Sequence, residues 1–241
     1  IDSLPRGEKI TGMSHCENCK KTLSWKDLIP LVSFIYLRGK CRYCHITLSY
    51  QYPSIELLTG LMFVAVYQFA TLNFQFEIFN FQLIYYLFIV SCMIVIFFAD
   101  LKYGIIPDKI IVPTVLVSFV YLFINHPPVG EAGQSLIINH LLSAVGSFLF
   151  FLFIFLITKA KGMGFGDVKL AFLIGLVLGF PNTALALYIA FLTGGGVGFI
   201  LILWKKKSIK YAVPFGPFLV LGTLLSLFFA PVIIPRIQDL L

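Results

Sequence analysis

Two aspartates stand where a long apolar stretch meets a short polar loop. Asp100 follows the apolar residues 81–99, and Asp167 follows the glycine-rich residues 162–166 and opens another apolar run. An ionisable side chain is costly to bury at such a place, so each one is a candidate functional group. Two carboxyl groups that face each other cannot both ionise. The ionised one can act as a general base on water while the protonated one polarises a carbonyl, which is aspartic-protease chemistry.

Each aspartate taken alone also has an ordinary structural explanation. Asp100 suits an interfacial helix end, and Asp167 suits the N-cap of a helix. Two further acids lie beside apolar runs: Asp108, which follows a proline, and Glu56. We expect Asp108 to cap a helix and Glu56 to pair with a Lys or Arg. The prediction of a catalytic site therefore depends on Asp100 and Asp167 as a pair.

Four of the five cysteines form a second candidate site. Cys16 and Cys19 make one C-x2-C pair, Cys41 and Cys44 make another, and 21 residues separate the two pairs. Four thiolates at these spacings suit a tetrahedral structural zinc. A segment this small has little core of its own, and a bound metal would supply folding free energy. The alternatives are incidental thiols or a redox motif.

The elements that position these residues follow from composition. The chain has 241 residues, of which 59% are hydrophobic and only 12% are charged. A soluble fold cannot hide that much apolar surface, so we predict an all-α polytopic membrane protein with lipid around it. Residues 1–54 form the predicted zinc domain, residues 55–241 form the membrane domain, and no internal repeat is apparent. Seven spans are predicted: 55–72, 81–99, 105–124, 136–157, 168–180, 183–204 and 212–235.

The net charge of +7 would suggest nucleic acid for a soluble protein, but here it reports topology. Of the 18 basic residues, 17 fall in residues 1–54 or in alternate loops, and Arg236 is the exception. The positive-inside rule then places the zinc domain in the cytoplasm and the C-terminus outside. No nucleic-acid partner is expected. Both aspartates lie at the cytoplasmic level, away from the midplane where coupled transporters hold their ions.

At these residues the chain resembles the type IV prepilin peptidases, the prepilin leader peptidase/N-methyltransferases, which are membrane aspartic proteases of the GxGD type. Asp100 begins a D-x6-P-D pattern that ends at Asp108, and residues 164–167 read GFGD; in the family both aspartates that match Asp100 and Asp167 are catalytic. Further matching segments are LPRGE at 4–8, the cysteine pairs within 14–19 and 39–44, DLIP at 27–30 and YPSIELLTG at 52–60.

The resemblance implies a substrate and a second activity. Family members cleave the basic leader of type IV prepilins and pseudopilins at the cytoplasmic membrane face, and many then methylate the new N-terminus with S-adenosylmethionine. No glycine-rich nucleotide motif is apparent here, so methylation is implied by the resemblance only. Members have eight spans, so a first span is expected before Ile1. The alternatives are a peptidase without methyltransferase activity, a cation-coupled transporter that uses the aspartate pair, and a non-enzymatic scaffold.

Overall fold

The structure, a computed structural model, describes residues 14–16, 18–73, 81–125, 131–159, 162–203 and 214–238. Across these residues it is helical, with no strand. The helices are α1 (Val32–Tyr36), α2 (Gln51–Asn73), α3 (Phe81–Tyr103), α4 (Asp108–Asn125), α5 (Glu131–Ile157), α6 (Phe165–Leu178), α7 (Asn182–Leu203) and α8 (Gly216–Gln238). The chain forms two compact units, residues 2–87 and 88–241. The predicted functional boundary after residue 54 stays a prediction.

Helices α2 to α8 coincide with the seven predicted spans, so the all-helical membrane class is confirmed. Four helical segments of the described chain are long and apolar enough to cross a bilayer: Phe81–Tyr103, Asp108–Asn125, Gly133–Ile157 and Asn182–Leu201. A shorter apolar stretch covers Gly216–Ala230 in α8. The number of bilayer crossings stays a prediction. Within the described chain, helix length and composition support a crossing for only four of the seven predicted spans.

The first unit contains two backbone turns of the same kind, one at each cysteine pair. The N–H of the first cysteine donates to the carbonyl five residues later, at 3.0 Å for Cys16 and 2.9 Å for Cys41. The residue after each second cysteine, Lys20 or His45, has a positive φ of 56° or 55°. One antiparallel bridge joins the ends of each turn. The structure therefore contains a repeat, and the sequence carries it too: residues 16–24 and 41–49 both read C-x2-C-x2-T-L-S, so the expectation of no internal repeat was wrong here.

Helix α6 is the most enclosed helix of the second unit. Its 14 residues span about 21 Å, which is short for a bilayer crossing. It packs against α4, α5 and α8, and Leu170, Leu173 and Ile174 are completely buried. Small residues let α5 approach closely: the Ser147 hydroxyl donates to the Ala171 carbonyl at 2.8 Å. A short helix can serve in a membrane protein when neighbouring helices, rather than lipid, surround it.

Helices α7 and α8 pack tightly against each other. A Cβ at Gly222 would overlap the backbone of Ala186, and the Ser226 hydroxyl donates to the Asn182 carbonyl at 2.8 Å. Close backbone approach between glycine and small residues is a common mode of helix association in membranes. This contact holds α8, whose start borders the candidate active site, against the first turns of α7.

Candidate active site and metal centre

The two predicted catalytic aspartates are both buried in the second unit. Asp100 lies in the last turn of α3 and is 5% exposed, and Asp167 lies in the first turn of α6 and is 6% exposed. Their carboxyl groups are close enough to interact electrostatically. The fold therefore brings together two acids that are 67 positions apart in the sequence. Buried carboxyl groups without a cationic partner are uncommon, so the pair is a candidate for chemistry.

The loop after α3 reaches from one aspartate to the other. Gly104 ends α3 with a φ of +64°, and its N–H donates to the Asp100 carbonyl at 2.8 Å. This left-handed residue reverses the chain, as glycine commonly does at a helix C-terminus. Ile106 then packs on Gly166, where a Cβ would lie only 2.9 Å from the Ile106 Cβ. The loop and the GxGD segment are thus fitted to each other.

Asp167 is held by the start of its own helix, but it is not the N-cap. Gly164 is the N-cap, and its N–H donates to Asp167 Oδ2 at 3.1 Å. The Asp167 N–H donates back to the Gly164 carbonyl at 3.2 Å. The carboxyl group satisfies one of the free N–H groups at the helix end and lies at the positive end of the helix dipole. These contacts fix its position beside Asp100.

The start of α8 is a part of the site that the sequence did not reveal. The backbone N–H of Gly216 interacts with the Asp100 carboxyl group. A Cβ at Gly216 would lie 2.5 Å from Asp100 Oδ2 and 3.0 Å from Cγ, so only glycine fits without displacing the carboxyl group. The Gly216–Pro217 pair marks a helix start, but nothing in the sequence places that start beside Asp100.

One oxygen of Asp100 is available for chemistry. Oδ2 is buried and has no hydrogen-bond partner within the described part of the chain. A buried polar atom without a partner is costly and uncommon, and active sites are one place where it is found. Oδ2 can accept a proton or a hydrogen bond from a reacting group. The arrangement therefore offers one free carboxyl oxygen beside a second carboxyl group.

The other two acids make contacts that the sequence did not predict. Asp108 is the first residue of α4, and its carboxylate pairs with Lys169 on α6 at 2.7 Å. It therefore links α4 to α6 instead of serving as an N-cap. Glu56 accepts a hydrogen bond from the backbone N–H of Leu31 at 2.8 Å, where we predicted a basic side chain. The sequence missed this bond because its donor is a backbone N–H group.

The four cysteines of the first unit converge on a single point. The Sγ atoms of Cys16, Cys19, Cys41 and Cys44 all lie within 4.8 Å of one another. The Ile46 N–H hydrogen-bonds the Cys44 sulfur and lowers the pKa of Cys44 to about 6. Thiolates are the metal-binding form of cysteine, so this donor set fits a tetrahedral ion such as zinc. The described cysteines are all free thiols.

Comparison with known proteins identifies the family. Residues 1–69 match the Bacterial Peptidase A24 N-terminal domain, and residues 87–199 match the Type IV leader peptidase family. A Bacillus subtilis (strain 168) protein named Prepilin leader peptidase/N-methyltransferase is 30% identical over 225 residues, which are 93% of this chain and 85% of that protein. The chain belongs to the type IV leader peptidase family.

Other members of the leader peptidase family are similarly distant. The Legionella pneumophila protein of the same name is 30% identical over 221 residues, or 92% of this chain and 74% of its own length. The Aeromonas salmonicida (strain A449) protein, again with that name, is 28% identical over 219 residues, or 89% of this chain and 70% of its own. No solved structure matches the chain. The family resemblance predicted from the motifs is thus confirmed, while the roles of individual residues stay predictions.

Proposed function

We propose that this leader peptidase family member is a membrane aspartic endopeptidase that removes the basic leader of type IV prepilins or pseudopilins. Asp100 and Asp167 are its catalytic pair. The observation that carries the proposal is the pair of buried carboxyl groups, delivered by α3 and α6 and near enough to interact. The names of the relatives support the substrate class, since three of them are called prepilin leader peptidases.

The chemistry follows from two adjacent carboxyl groups that hold one proton. The ionised carboxylate takes a proton from water while the water oxygen bonds to the scissile carbonyl carbon. The protonated carboxyl group gives its proton to the carbonyl oxygen. Collapse of the resulting intermediate breaks the C–N bond, and the leaving amine takes up a proton. We assign the water-facing role to Asp100 Oδ2, because this oxygen has no hydrogen-bond partner among the described residues.

The metal centre has a structural role in this proposal. Cys16, Cys19, Cys41 and Cys44 would hold one zinc ion, which cross-links the two turns of the first unit. Residues 1–54 would form this domain on the cytoplasmic side, and residues 55–241 would form the peptidase in the cytoplasmic membrane. The C-terminus would lie outside. The loop charges support this topology, since basic loops alternate with loops that lack Lys and Arg.

We also propose the second activity named for the relatives, methylation of the new N-terminus. S-adenosylmethionine would supply the methyl group to the amine that cleavage exposes. No residue of the described chain is assigned to its binding, and the zinc domain offers no glycine-rich loop for it. A peptidase without this second activity is the nearest alternative.

One experiment tests both activities. The purified protein is incubated with a prepilin in detergent or lipid, with and without S-adenosylmethionine, and the pilin mass is measured. We expect loss of the leader in both samples and a further gain of one methyl group only with the methyl donor. An intact prepilin in both samples would overturn the peptidase proposal. Cleavage without a mass gain would overturn only the methyltransferase proposal.

A further inference from the structure

The first unit exposes large apolar and aromatic side chains in two adjacent turns. One is the 3-10 helix Trp25–Leu28, and the other is α1, which packs against it. Trp25 is 71% exposed, Ile35 is 74% exposed and Tyr36 is 78% exposed. Exposed apolar groups of this size in a small domain indicate a contact surface. We call Trp25, Leu28, Val32, Ile35 and Tyr36 the apolar turns.

Their spacing gives each turn one apolar face. Val32, Ile35 and Tyr36 recur at positions i, i+3 and i+4 of α1, which places them on one side of that helix. Trp25 and Leu28 are three apart in a 3-10 helix, where such residues eclipse each other. None of the five is buried. Val32, Ile35 and Tyr36 therefore face away from the unit's own core.

The exposure is built into the fold. Asp27 accepts from the Ser24 N–H at 3.1 Å and pairs with Arg42 at 2.6 Å, and its own side chain is only 4% exposed. This pair ties the Trp25 turn to the second cysteine turn. Because Trp25 extends from a segment anchored in this way, its exposure is a fixed property of the unit.

A second contact places the apolar turns beside the start of α2, a predicted membrane span. The Leu31 N–H, directly before α1, donates to the Glu56 carboxylate in the second turn of α2. Phe34 of α1 also packs on Tyr50 beside the start of α2, with ring centroids 5.6 Å apart. The apolar run of α2 begins at residue 55. Glu56 lies about 8 Å along α2, which matches the depth of the headgroup layer.

The charges around the apolar turns favour an anionic lipid surface. Five exposed basic side chains of the first unit have no acidic partner within the described residues: Lys20, Lys21, Lys26, Arg38 and Lys40. Lys26 lies over the Trp25 ring at 5.6 Å. Trp and Tyr with nearby Lys and Arg are the residues typical of a membrane–water interface. A basic leader peptide would instead be repelled by this surface.

We propose that the apolar turns insert into the headgroup layer of an anionic membrane and hold the zinc domain flat against the bilayer next to α2. Trp25, Ile35 and Tyr36 enter the interface, and the basic side chains contact lipid phosphates. This inference does not depend on the peptidase proposal, since it concerns only the first unit. In this arrangement the zinc domain lies at a fixed distance from the bilayer surface.

The test uses the tryptophans of the full chain, which are only two, Trp25 and Trp204. The Trp204→Phe variant leaves Trp25 as the single fluorophore. It is reconstituted into phosphatidylcholine vesicles with or without phosphatidylglycerol, and a second set carries brominated acyl chains. We expect brominated lipid to remove about half of the Trp25 emission, as for a side chain at interface depth. If Trp204→Phe does not fold, the same signal is the difference between wild type and Trp25→Phe.

Variants sharpen the result. Ile35→Ser should at least halve the quenching of Trp25, whereas Ile46→Ser, an exposed isoleucine of the second cysteine turn, should leave it unchanged. Lys26→Ser with Arg38→Ser should reduce quenching only in vesicles with phosphatidylglycerol, and added salt should do the same. Unchanged metal content by elemental analysis shows that each variant keeps the folded unit.

Three outcomes would overturn the proposal. Trp25 emission that iodide quenches and brominated lipid does not would show that the turns face water. Emission that neither agent quenches would show that protein covers them. Equal loss in Ile35→Ser and Ile46→Ser would show that the contact does not run through the apolar turns.

Discussion

The metal centre and the aspartate pair are assembled in opposite ways. The cysteine site is local: its four ligands come from two short turns, and each turn is closed by hydrogen bonds within a few residues. The aspartate site is distributed, because α3, the loop after it, α6 and the start of α8 each supply one part. A local site can be recognised from spacing, whereas a distributed site depends on helix packing. The two sites should therefore fail differently when single residues change.

The largest effect should come from the acids themselves. Asp100→Asn or Asp167→Asn removes the base or the proton donor, and we expect leader cleavage to fall by about a thousand-fold or more. Metal content should stay at the wild-type level, since the cysteines are untouched. Cleavage is measured by pilin mass and metal by elemental analysis. Wild-type cleavage in either variant would refute the catalytic pair.

The corresponding change at the metal centre is Cys16→Ser. A tetrahedral site that loses one thiolate should lose its ion, so zinc should drop from about one per chain to a small fraction of that. Because the metal replaces a core in this small unit, residues 14–50 should become sensitive to protease. Cys92→Ser, in the apolar part of α3, is the matched control. It should change neither the zinc content nor the protease sensitivity. Unchanged zinc in Cys16→Ser would disprove the site.

A smaller effect should come from Gly216→Ala. The added Cβ would lie 2.5 Å from Asp100 Oδ2, so the carboxyl group must shift, and we expect cleavage to fall by about 10- to 100-fold. A positioning effect should also alter the shape of the pH–rate profile, which simple loss of folded protein would not. Gly195→Ala is the control, since its Cβ meets no described atom within 4 Å. Equal activity in Gly216→Ala and Gly195→Ala would show that Gly216 does not position the Asp100 carboxyl group.

The smallest effect should come from the ion pair between α4 and α6. Asp108 is well exposed, with 61% of its side chain accessible, and Lys169 has 32%. Such pairs contribute at most about 1 kcal/mol, so Lys169→Met should reduce cleavage by about five-fold or less. The effect should shrink in high salt, since exposed charges are screened. A loss as large as that of Asp100→Asn would assign Lys169 a direct part in the chemistry.

The sequence predicted the helical elements and the cysteine site well, for a physical reason. Apolar run length and loop charge report the bilayer directly, so α2 to α8 all appear where spans were predicted. The helix ends were less accurate: α6 begins at Phe165 instead of residue 168, which places Asp167 inside the first turn. The glycines of the GxGD segment permit α6 to begin at Phe165. A prediction based on apolar runs does not detect this earlier start.

By itself the sequence indicated the two candidate sets of site residues, the family and the helical membrane architecture. These depend on residue type and local spacing, which a single chain displays openly. Only the tertiary structure placed Asp100 beside Asp167, set Gly216 against the Asp100 carboxyl group and joined Asp108 to Lys169. The contact of Leu31 with Glu56 was likewise visible only there. Such contacts depend on which helices pack together and at what distance, and no local pattern encodes that.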